Sequence, residues 1–280
     1  MNYIAKRPRA ERSGTHGLFS GGDGAVDLAR VAETVANHPG NVWLPMISLR
    51  REDAARLGYD NAKQWKALLS SLAPQMAEAM QIPNSQFRWY AAFHDENHHP
   101  HIHMVCYSAD GRSGFLNKSG IASIKSALAK EIFRQDLTEI YRQQTQRRDE
   151  LTQESHDVLR QLIEQMKDGT LENSSIERLM LDLSERLRHA KGKKQYGYLQ
   201  APLKSIVDAV VDELAKDPRV ADAYEQWYLL KEDALRTYKD HLPERVPLSR
   251  QETFKRIRNL VVEEAVRLDE DSTVLTPSDS

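Results

Sequence analysis

Two neighbouring runs of sequence decide the fold: Phe87-Arg-Trp-Tyr-Ala-Ala-Phe-His94 and His101-Ile-His-Met-Val-Cys-Tyr107. Aromatic and branched apolar residues recur in both runs, a composition that is typical of β-strands. The residues between the runs, Asp95-Glu-Asn-His-His-Pro100, have the polar and proline-containing composition of a turn. The sequence therefore predicts a β-hairpin whose loop is slightly longer than the common length of about two to five residues.

Histidines are concentrated in this predicted hairpin, which contains five of the ten in the chain. Residues two apart on a strand point to one face of the sheet, so His101 and His103 present their rings side by side, with backbones roughly 6–7 Å apart. His94 ends the partner strand, from which its ring can reach the same point. We therefore predict that His94, His101 and His103 bind one divalent metal ion.

The donor atoms of this predicted site indicate its chemistry. Three neutral imidazoles without a thiolate favour a borderline divalent ion such as Mn²⁺, Zn²⁺, Co²⁺ or Ni²⁺. Three protein ligands leave coordination positions open, as in catalytic rather than structural sites. Asp95 and Glu96 follow His94, and we expect them to accept hydrogen bonds from imidazole N–H groups. His98 and His99 fall in the turn and are expected to be exposed.

Two other interpretations use the same histidines. The order His99-Pro-His101-Ile-His103 resembles the motif of histidine-triad nucleotide hydrolases, in which a histidine attacks a phosphate without a metal. Pro100 interrupts strand pairing where that family usually has an apolar residue, which weakens the resemblance. The other interpretation is a non-catalytic DNA-binding or docking protein whose histidines hold a structural metal.

The chain divides by composition into an α/β half and a helical half. Helical periodicity begins near Gly120 and recurs to about residue 268, whereas the strand-like runs lie before it. We therefore expect an α+β fold: an antiparallel β-sheet with flanking helices, followed by a mainly α-helical C-terminal region. The predicted boundaries are 1–145 for the first domain, 146–268 for the helical region and 269–280 for an acidic, Ser/Thr-rich tail expected to be disordered.

The bulk properties are those of an ordinary globular protein. Hydrophobic residues make up 40% of the 280 residues and charged residues 29%, and no apolar run approaches the roughly 18–20 residues of a membrane span. The start of the chain lacks the apolar region of a signal peptide, and the one cysteine, Cys106, fits a reducing compartment. We therefore expect a cytoplasmic protein without membrane insertion. Because the formal net charge is −2, any contact with DNA must depend on local basic clusters.

The spacing His94-(x6)-His101-Ile102-His103 resembles the metal motif of HUH relaxases, the DNA-nicking proteins of plasmid mobilisation. Within that superfamily the chain is most similar to MobP-type relaxases of mobile elements from Gram-positive bacteria, over residues 1 to about 265. The stretches that support this resemblance are Tyr3-Ile-Ala-Lys-Arg-Pro, His38-Pro-Gly-Asn-Val-Trp, Ile47-Ser-Leu-Arg-Arg-Glu-Asp, Phe87-Arg-Trp-Tyr-Ala-Ala-Phe-His-Asp-Glu and Lys193-Lys-Gln-Tyr-Gly-Tyr-Leu.

The resemblance implies a site- and strand-specific nickase that cuts single-stranded DNA at an origin of transfer. In such enzymes a bound Mn²⁺ or Mg²⁺ polarises the scissile phosphate and a tyrosine attacks it, which gives a 5′-phosphotyrosyl enzyme and a free 3′-OH. Tyr3 matches the family's N-terminal tyrosine motif, with Tyr90 and Tyr107 as weaker candidates. Relaxases usually have a strand and a helix before or around this tyrosine, so we expect the first domain to lack its N-terminal edge here.

Basic residues of the first domain are candidates for DNA contacts. The predicted contacts are Lys6, Arg7, Arg9, Arg50 and Arg51. The first three follow Tyr3, where they can bind phosphates and favour its phenolate form. The relaxase resemblance also implies accessory relaxosome proteins and a coupling protein as partners.

A second predicted DNA-binding cluster lies in the helical half. Lys191, Lys193 and Lys194 surround a glycine and precede Tyr196 and Tyr198. Basic residues beside aromatics suit single-stranded DNA, because the phosphates pair with the cations and the bases stack on the rings.

Overall fold

The computed structural model describes residues 1–12, 14–171 and 174–274 of the chain. Its α-helices are α1 Asn2–Lys6, α2 Leu28–Ala36, α3 Arg51–Leu57, α4 Ala62–Ala79, α5 Lys118–Ile132, α6 Arg134–Lys167, α7 Ser174–His189, α8 Ala201–Leu214, α9 Pro218–Tyr238 and α10 Lys255–Val274. Its strands are β1 Val42–Trp43, β2 Met46–Ser48, β3 Phe87–His94 and β4 His101–Ser108. The predicted α+β fold is confirmed, because a small antiparallel sheet precedes a C-terminal part made of helices.

Strand β4 lies in the middle of this sheet. It pairs antiparallel with β3 on one side and with β1 and β2 on the other. The predicted hairpin is therefore confirmed, and its register places His94 directly opposite His101. Because the hairpin is flanked by further backbone on both sides, its strands have little freedom to slip in register.

Strands β1 and β2 form one interrupted edge with a single register. Trp43 lies opposite Cys106, and Met46 lies opposite His103, so the pairing continues without a shift across the two intervening residues. Pro45 lies in that interval, and its carbonyl accepts a hydrogen bond of 2.9 Å from a main-chain N–H of β4. A proline is tolerated here because the edge position needs no donor from it.

The segment before α2 runs along the outer edge of β3. Phe19 and Ala91 exchange two backbone hydrogen bonds of 2.9 Å each, and Ala10 forms an isolated bridge with His94. Backbone on both sides thus fixes the end of β3 that carries His94.

The two faces of the sheet have different neighbours. One face packs against α4 and α5, and the core on that side includes Trp65, Leu69, Phe93, Ile102 and Met104. The other face carries the three predicted metal ligands, because their positions alternate with those core residues. Helices α1 and α2 lie on this second side, where Ala5, Leu28 and Val31 form a small buried cluster.

The chain forms two compact units. The first comprises Met1–Gln135 and Thr237–Lys239, and the second comprises Asp136–Arg236 and the described residues from Asp240 onward. The first unit ends at Gln135, before the predicted boundary at residue 145, and this end lies close to where α5 stops and α6 begins. The core of the second unit includes Leu151, Val158, Met180, Leu187, Val211, Trp227 and Val261.

The end of the chain differs from the sequence prediction. Helix α10 continues to Val274, so residues 269–274, which we expected in a disordered tail, are helical. The acidic composition suggested disorder, but extending an existing helix adds one hydrogen bond per residue and needs no new nucleus. The rest of the predicted tail, residues 275–280, lies outside the described residues. None of the described helices combines the length and the apolar character that a membrane crossing requires.

Candidate metal centre

Three histidine rings converge on the open face of the hairpin. His94 faces His101 across the strands, and His103 lies two residues further along β4, on the same face. The ring centroids are 4.8–5.1 Å apart, and one nitrogen from each ring lies within 4.8 Å of the others. The sequence prediction that these three side chains share one point is confirmed. His98 and His99 are exposed in the turn, as expected.

Backbone carbonyls orient two of the rings. His94 Nε2 donates a hydrogen bond of 2.7 Å to the carbonyl oxygen of Ile4 in α1. His101 Nδ1 donates one of 2.9 Å to the carbonyl oxygen of His99. A carbonyl only accepts, so in the neutral ring each of these nitrogens carries the proton and the other nitrogen keeps its lone pair for a metal.

Burial keeps the rings in the form that binds metals. Burial lowers the pKa of His94, which is fully buried. It also lowers the pKa of His103 to about 4, with a further contribution from the positive charges of the other two rings. Neutral imidazole is the ligand form, so these two rings need no deprotonation at neutral pH.

The residues present fit a divalent ion. His94 Nδ1 and His103 Nε2 are buried nitrogens that have no hydrogen-bond partner among the described residues. A buried polar atom without a partner costs free energy, which a ligand at this point would remove. Two nitrogens on one ion are at most about 4.2 Å apart at ordinary metal–nitrogen distances, so the observed limit of 4.8 Å requires only a small closure of the rings.

The two carboxylates next to His94 have other partners than predicted. Asp95 accepts a hydrogen bond of 2.6 Å from Arg51, and Glu96 forms an ion pair with Arg9. Arg51 also donates to the carbonyl of Asn97 at 3.1 Å. The carbonyls that orient the rings thus occupy the role expected for Asp95 and Glu96, while these ion pairs secure the loop between β3 and β4.

Tyr3 is close to this centre through helix α1. Its side chain is 66% exposed, one residue before the Ile4 carbonyl that binds His94. The Arg7 guanidinium lies 5.2 Å from the centroid of the Tyr3 ring. The charge of Arg7 also contributes to the lowered pKa of both His94 and His103, so this cation lies near the ring and near the histidines.

The remaining predicted residues of the first unit are spread around the centre. Lys6 is exposed on α1, and Arg50 is exposed directly before α3. Tyr90 and Tyr107 share the face of the histidines, but their rings stack on each other with centroids 6.4 Å apart. Burial raises the pKa of Tyr107 to about 12, which makes it a poor nucleophile.

One neighbour of the centre was missed by the sequence reasoning. Met46 lies opposite His103 in the sheet, yet its side chain is 62% exposed, and Leu44 on the same edge is 72% exposed. These residues form an exposed apolar step beside the histidines. Alternation along the edge strand indicates that Leu44 and Met46 share one face. The sequence does not predict their register against β4, which places Met46 opposite His103.

The histidine-triad interpretation is not supported by this geometry. His99 is exposed in the turn and only its backbone carbonyl contacts His101. The cluster consists of His94, His101 and His103 instead.

The lysines predicted to bind DNA in the helical half belong to the second unit. Lys191, Lys193 and Lys194 line a cavity of about 750 Å³, together with Tyr198.

Comparison with known proteins agrees with the relaxase resemblance. The family model for MobL relaxases matches residues 10–278, a range that contains the whole hairpin and its three histidines, whereas Tyr3 precedes it. Searches of curated proteins and of solved structures returned no match. The family match covers almost the entire chain, so the protein belongs to the MobL relaxases.

Proposed function

We propose that this relaxase is a site- and strand-specific DNA transesterase. It cuts single-stranded DNA at an origin of transfer and forms a phosphotyrosyl intermediate at a centre built from His94, His101 and His103. The observation that carries this proposal is the convergence of three imidazoles, two of which are oriented by carbonyls so that a lone pair remains free.

A divalent ion held by the three histidines would supply Lewis-acid polarisation of the scissile phosphate and neutralise its charge. The nitrogen donors favour Mn²⁺, Zn²⁺, Co²⁺ or Ni²⁺ over Mg²⁺, which prefers oxygen ligands. The carbonyls of Ile4 and His99 orient the His94 and His101 rings without a bound ion. The site is therefore prepared before any ion binds.

Tyr3 is the nucleophile in this proposal. Its exposed hydroxyl oxygen forms a bond to phosphorus while the bond from phosphorus to the 3′ oxygen breaks. The phenol loses its proton to solvent and the departing 3′ oxygen takes one up, so the nick ends in a 3′-OH and a 5′-phosphotyrosine. Arg7 lies beside the Tyr3 ring, where its guanidinium is placed to bind the scissile phosphate.

The exposed apolar step formed by Leu44 and Met46 gives a surface for a base next to the scissile phosphate. Base packing there would help to hold the strand in one orientation across the site. Accessory relaxosome proteins and a coupling protein as partners, and a cytoplasmic location, belong to the same proposal.

A covalent-adduct assay tests the proposed function. Single strands of about 40 nucleotides that tile the DNA beside the gene carry a 3′ fluorophore, because the protein joins the 5′ end of the 3′ fragment. We expect an SDS-resistant labelled protein with Mn²⁺ that disappears with EDTA, in Tyr3→Phe and in His101→Ala. Tyr141→Phe, at another exposed tyrosine, serves as the matched control and should react normally.

Two outcomes would contradict the proposal. An adduct that persists in Tyr3→Phe would assign the nucleophile to another residue. If no strand gave an adduct with Mn²⁺, Mg²⁺, Zn²⁺, Co²⁺ or Ni²⁺, transesterase activity would be excluded.

A further inference from the structure

The helical unit contains a basic groove that the nicking chemistry does not use. It lies between the end of α7, the loop that follows, a short 3-10 helix at Tyr196–Tyr198 and the start of α8. Its volume is about 750 Å³. The charged and aromatic residues that line it are Asp182, Glu185, Arg186, His189, Lys191, Lys193, Lys194 and Tyr198.

The cations of this groove outnumber its carboxylates. Asp182 accepts a hydrogen bond of 2.6 Å from Arg186, so these two charges offset each other. Lys191, Lys193 and Lys194 form no ion pair with any residue in the described part of the chain. Three ammonium groups that form no ion pair therefore line one groove, in which Glu185 is the one carboxylate left beside the Asp182–Arg186 pair, while the chain as a whole carries a formal charge of −2.

The backbone of the loop brings these lysines to one place. Gly192 has a φ of +95°, a left-handed conformation that other residues rarely adopt. This turn lets Lys191 before it and Lys193 after it line the same cavity.

An exposed aromatic ring completes the groove. Tyr198 is 70% exposed, and Lys193 Nζ lies 5.3 Å from the centroid of its ring. The neighbouring Tyr196 is different: its hydroxyl donates to Asp208 at 2.8 Å, and the Arg258 guanidinium lies 4.6 Å from its ring centroid. Tyr196 therefore stabilises the fold, whereas the ring of Tyr198 is available to a ligand.

We propose that this groove binds single-stranded DNA. The three lysines contact successive phosphates and an unpaired base stacks on Tyr198. Duplex DNA fits less well, because its bases are already stacked and paired. This site needs no metal ion and no histidine, so it goes beyond the nicking reaction.

Fluorescence anisotropy with fluorescein-labelled (dT)20 and EDTA tests the proposal. The protein is the full chain carrying His101→Ala and His103→Ala, which keeps the nicking centre out of the measurement. The triple variant Lys191→Ala/Lys193→Ala/Lys194→Ala is compared with Lys63→Ala/Lys167→Ala/Lys216→Ala, which removes the same charge outside the groove. Circular dichroism checks that each variant is folded.

We expect the groove triple to weaken binding at least tenfold. Its plot of log K against log salt should be shallower by about 2, since each phosphate contact on a single strand contributes about 0.7 to that slope. Tyr198→Ala should weaken binding by about 5- to 100-fold with an unchanged slope, and Tyr198→Phe should bind like the parent.

Equal effects of the groove triple and the control triple would overturn the proposal. Tighter binding of a 20-base-pair duplex, combined with no effect of Tyr198→Ala, would also overturn it, since the groove would then serve duplex DNA. Because nicking is measured separately as a covalent adduct, failure of either proposal leaves the other testable.

Discussion

The Nε2 nitrogen of His94 donates a hydrogen bond of 2.7 Å to the backbone carbonyl of Ile4. This contact joins the candidate metal centre to helix α1, which also carries Tyr3. One short helix thus orients a metal ligand and presents the proposed nucleophile. Metal binding and attack by the tyrosine are therefore both expected to depend on this helix.

Removal of helix α1 should weaken metal binding although it contains no ligand. We expect deletion of residues 1–6 to raise the Kd for Mn²⁺ by about 10- to 100-fold, the usual cost of losing a hydrogen bond that orients a histidine ligand. Isothermal titration calorimetry on the metal-free protein measures this change. Tyr3→Phe keeps the helix and should bind Mn²⁺ like the wild type. A deletion variant with wild-type affinity would show that the Ile4 carbonyl does not prepare the site.

Substitution of a histidine inside the cluster should weaken Mn²⁺ binding far more than substitution of a histidine outside it. Single substitutions to alanine at His94, His101 or His103 should each raise the Kd for Mn²⁺ by at least about 100-fold, because the site has only three protein ligands. His98→Ala and His99→Ala should leave it unchanged, since both side chains are exposed in the turn. Competition with a metal-binding dye measures all five variants. Similar effects of a turn variant and a cluster variant would contradict the proposed ligand set.

The ligand pair could be predicted from the sequence because it depends on local geometry alone. Alternation along one strand fixes the common side of His101 and His103, and any antiparallel hairpin with this loop brings His94 near them. The fold class followed from the same kind of periodicity, which also located the helical half of the chain.

The supporting contacts could not be predicted, because they join residues that are far apart in the chain. Ile4 and His94 are 90 residues apart, and Arg51 and Asp95 are 44 apart. No local pattern marks such a pair. Proximity in sequence suggested Asp95 as a partner for the rings, but an arginine from α3 binds it instead. A surface carboxylate joins the cation that the tertiary fold brings nearest.

The turn after β4 should show a pH-dependent contribution to stability. The Asp110 carboxylate accepts hydrogen bonds from the hydroxyls of Ser113 and Ser108 and from two main-chain N–H groups. These bonds, that of the Ser113 hydroxyl foremost, lower the pKa of Asp110 well below its ordinary value of 3.8. The unfolded chain takes up the proton first as the pH falls, so this stabilisation is present above the ordinary pKa and is lost below it.

Asp110→Asn should therefore have a lower free energy of unfolding than the wild type at neutral pH. The difference in free energy of unfolding between the two proteins should become smaller below about pH 4. Urea unfolding of both proteins at neutral and at acidic pH measures it. Asp23→Asn, at an exposed aspartate, should show no such narrowing difference. A constant difference between the Asp110 variant and the wild type at both pH values would contradict this role of the charge.

Arg7 should act on the reaction rather than on the metal. Its guanidinium lies 5.2 Å from the Tyr3 ring centroid, so Arg7→Ala should slow formation of the covalent adduct by about tenfold or more. Arg7→Lys keeps the charge and should restore part of the rate. Arg30→Ala, at an exposed arginine on α2, is the matched control. A large loss of Mn²⁺ affinity in Arg7→Ala would instead indicate a structural role for this residue.

Arg50 and Arg51 were both predicted to bind DNA, but we expect their substitutions to have different effects. Arg51 donates to Asp95 and to the carbonyl of Asn97, so it holds the loop between β3 and β4, whereas Arg50 is exposed. We expect Arg51→Ala to weaken Mn²⁺ binding, because the loop ends at His101, and to leave the salt dependence of DNA binding unchanged. Arg50→Ala should do the reverse and reduce the slope of log K against log salt by about 0.7, the contribution of one phosphate contact on a single strand. Anisotropy at several salt concentrations and calorimetry with Mn²⁺ measure the two effects on the same proteins. If Arg51→Ala instead reduced the slope and kept the metal affinity, its ion pair with Asp95 would have to open for DNA.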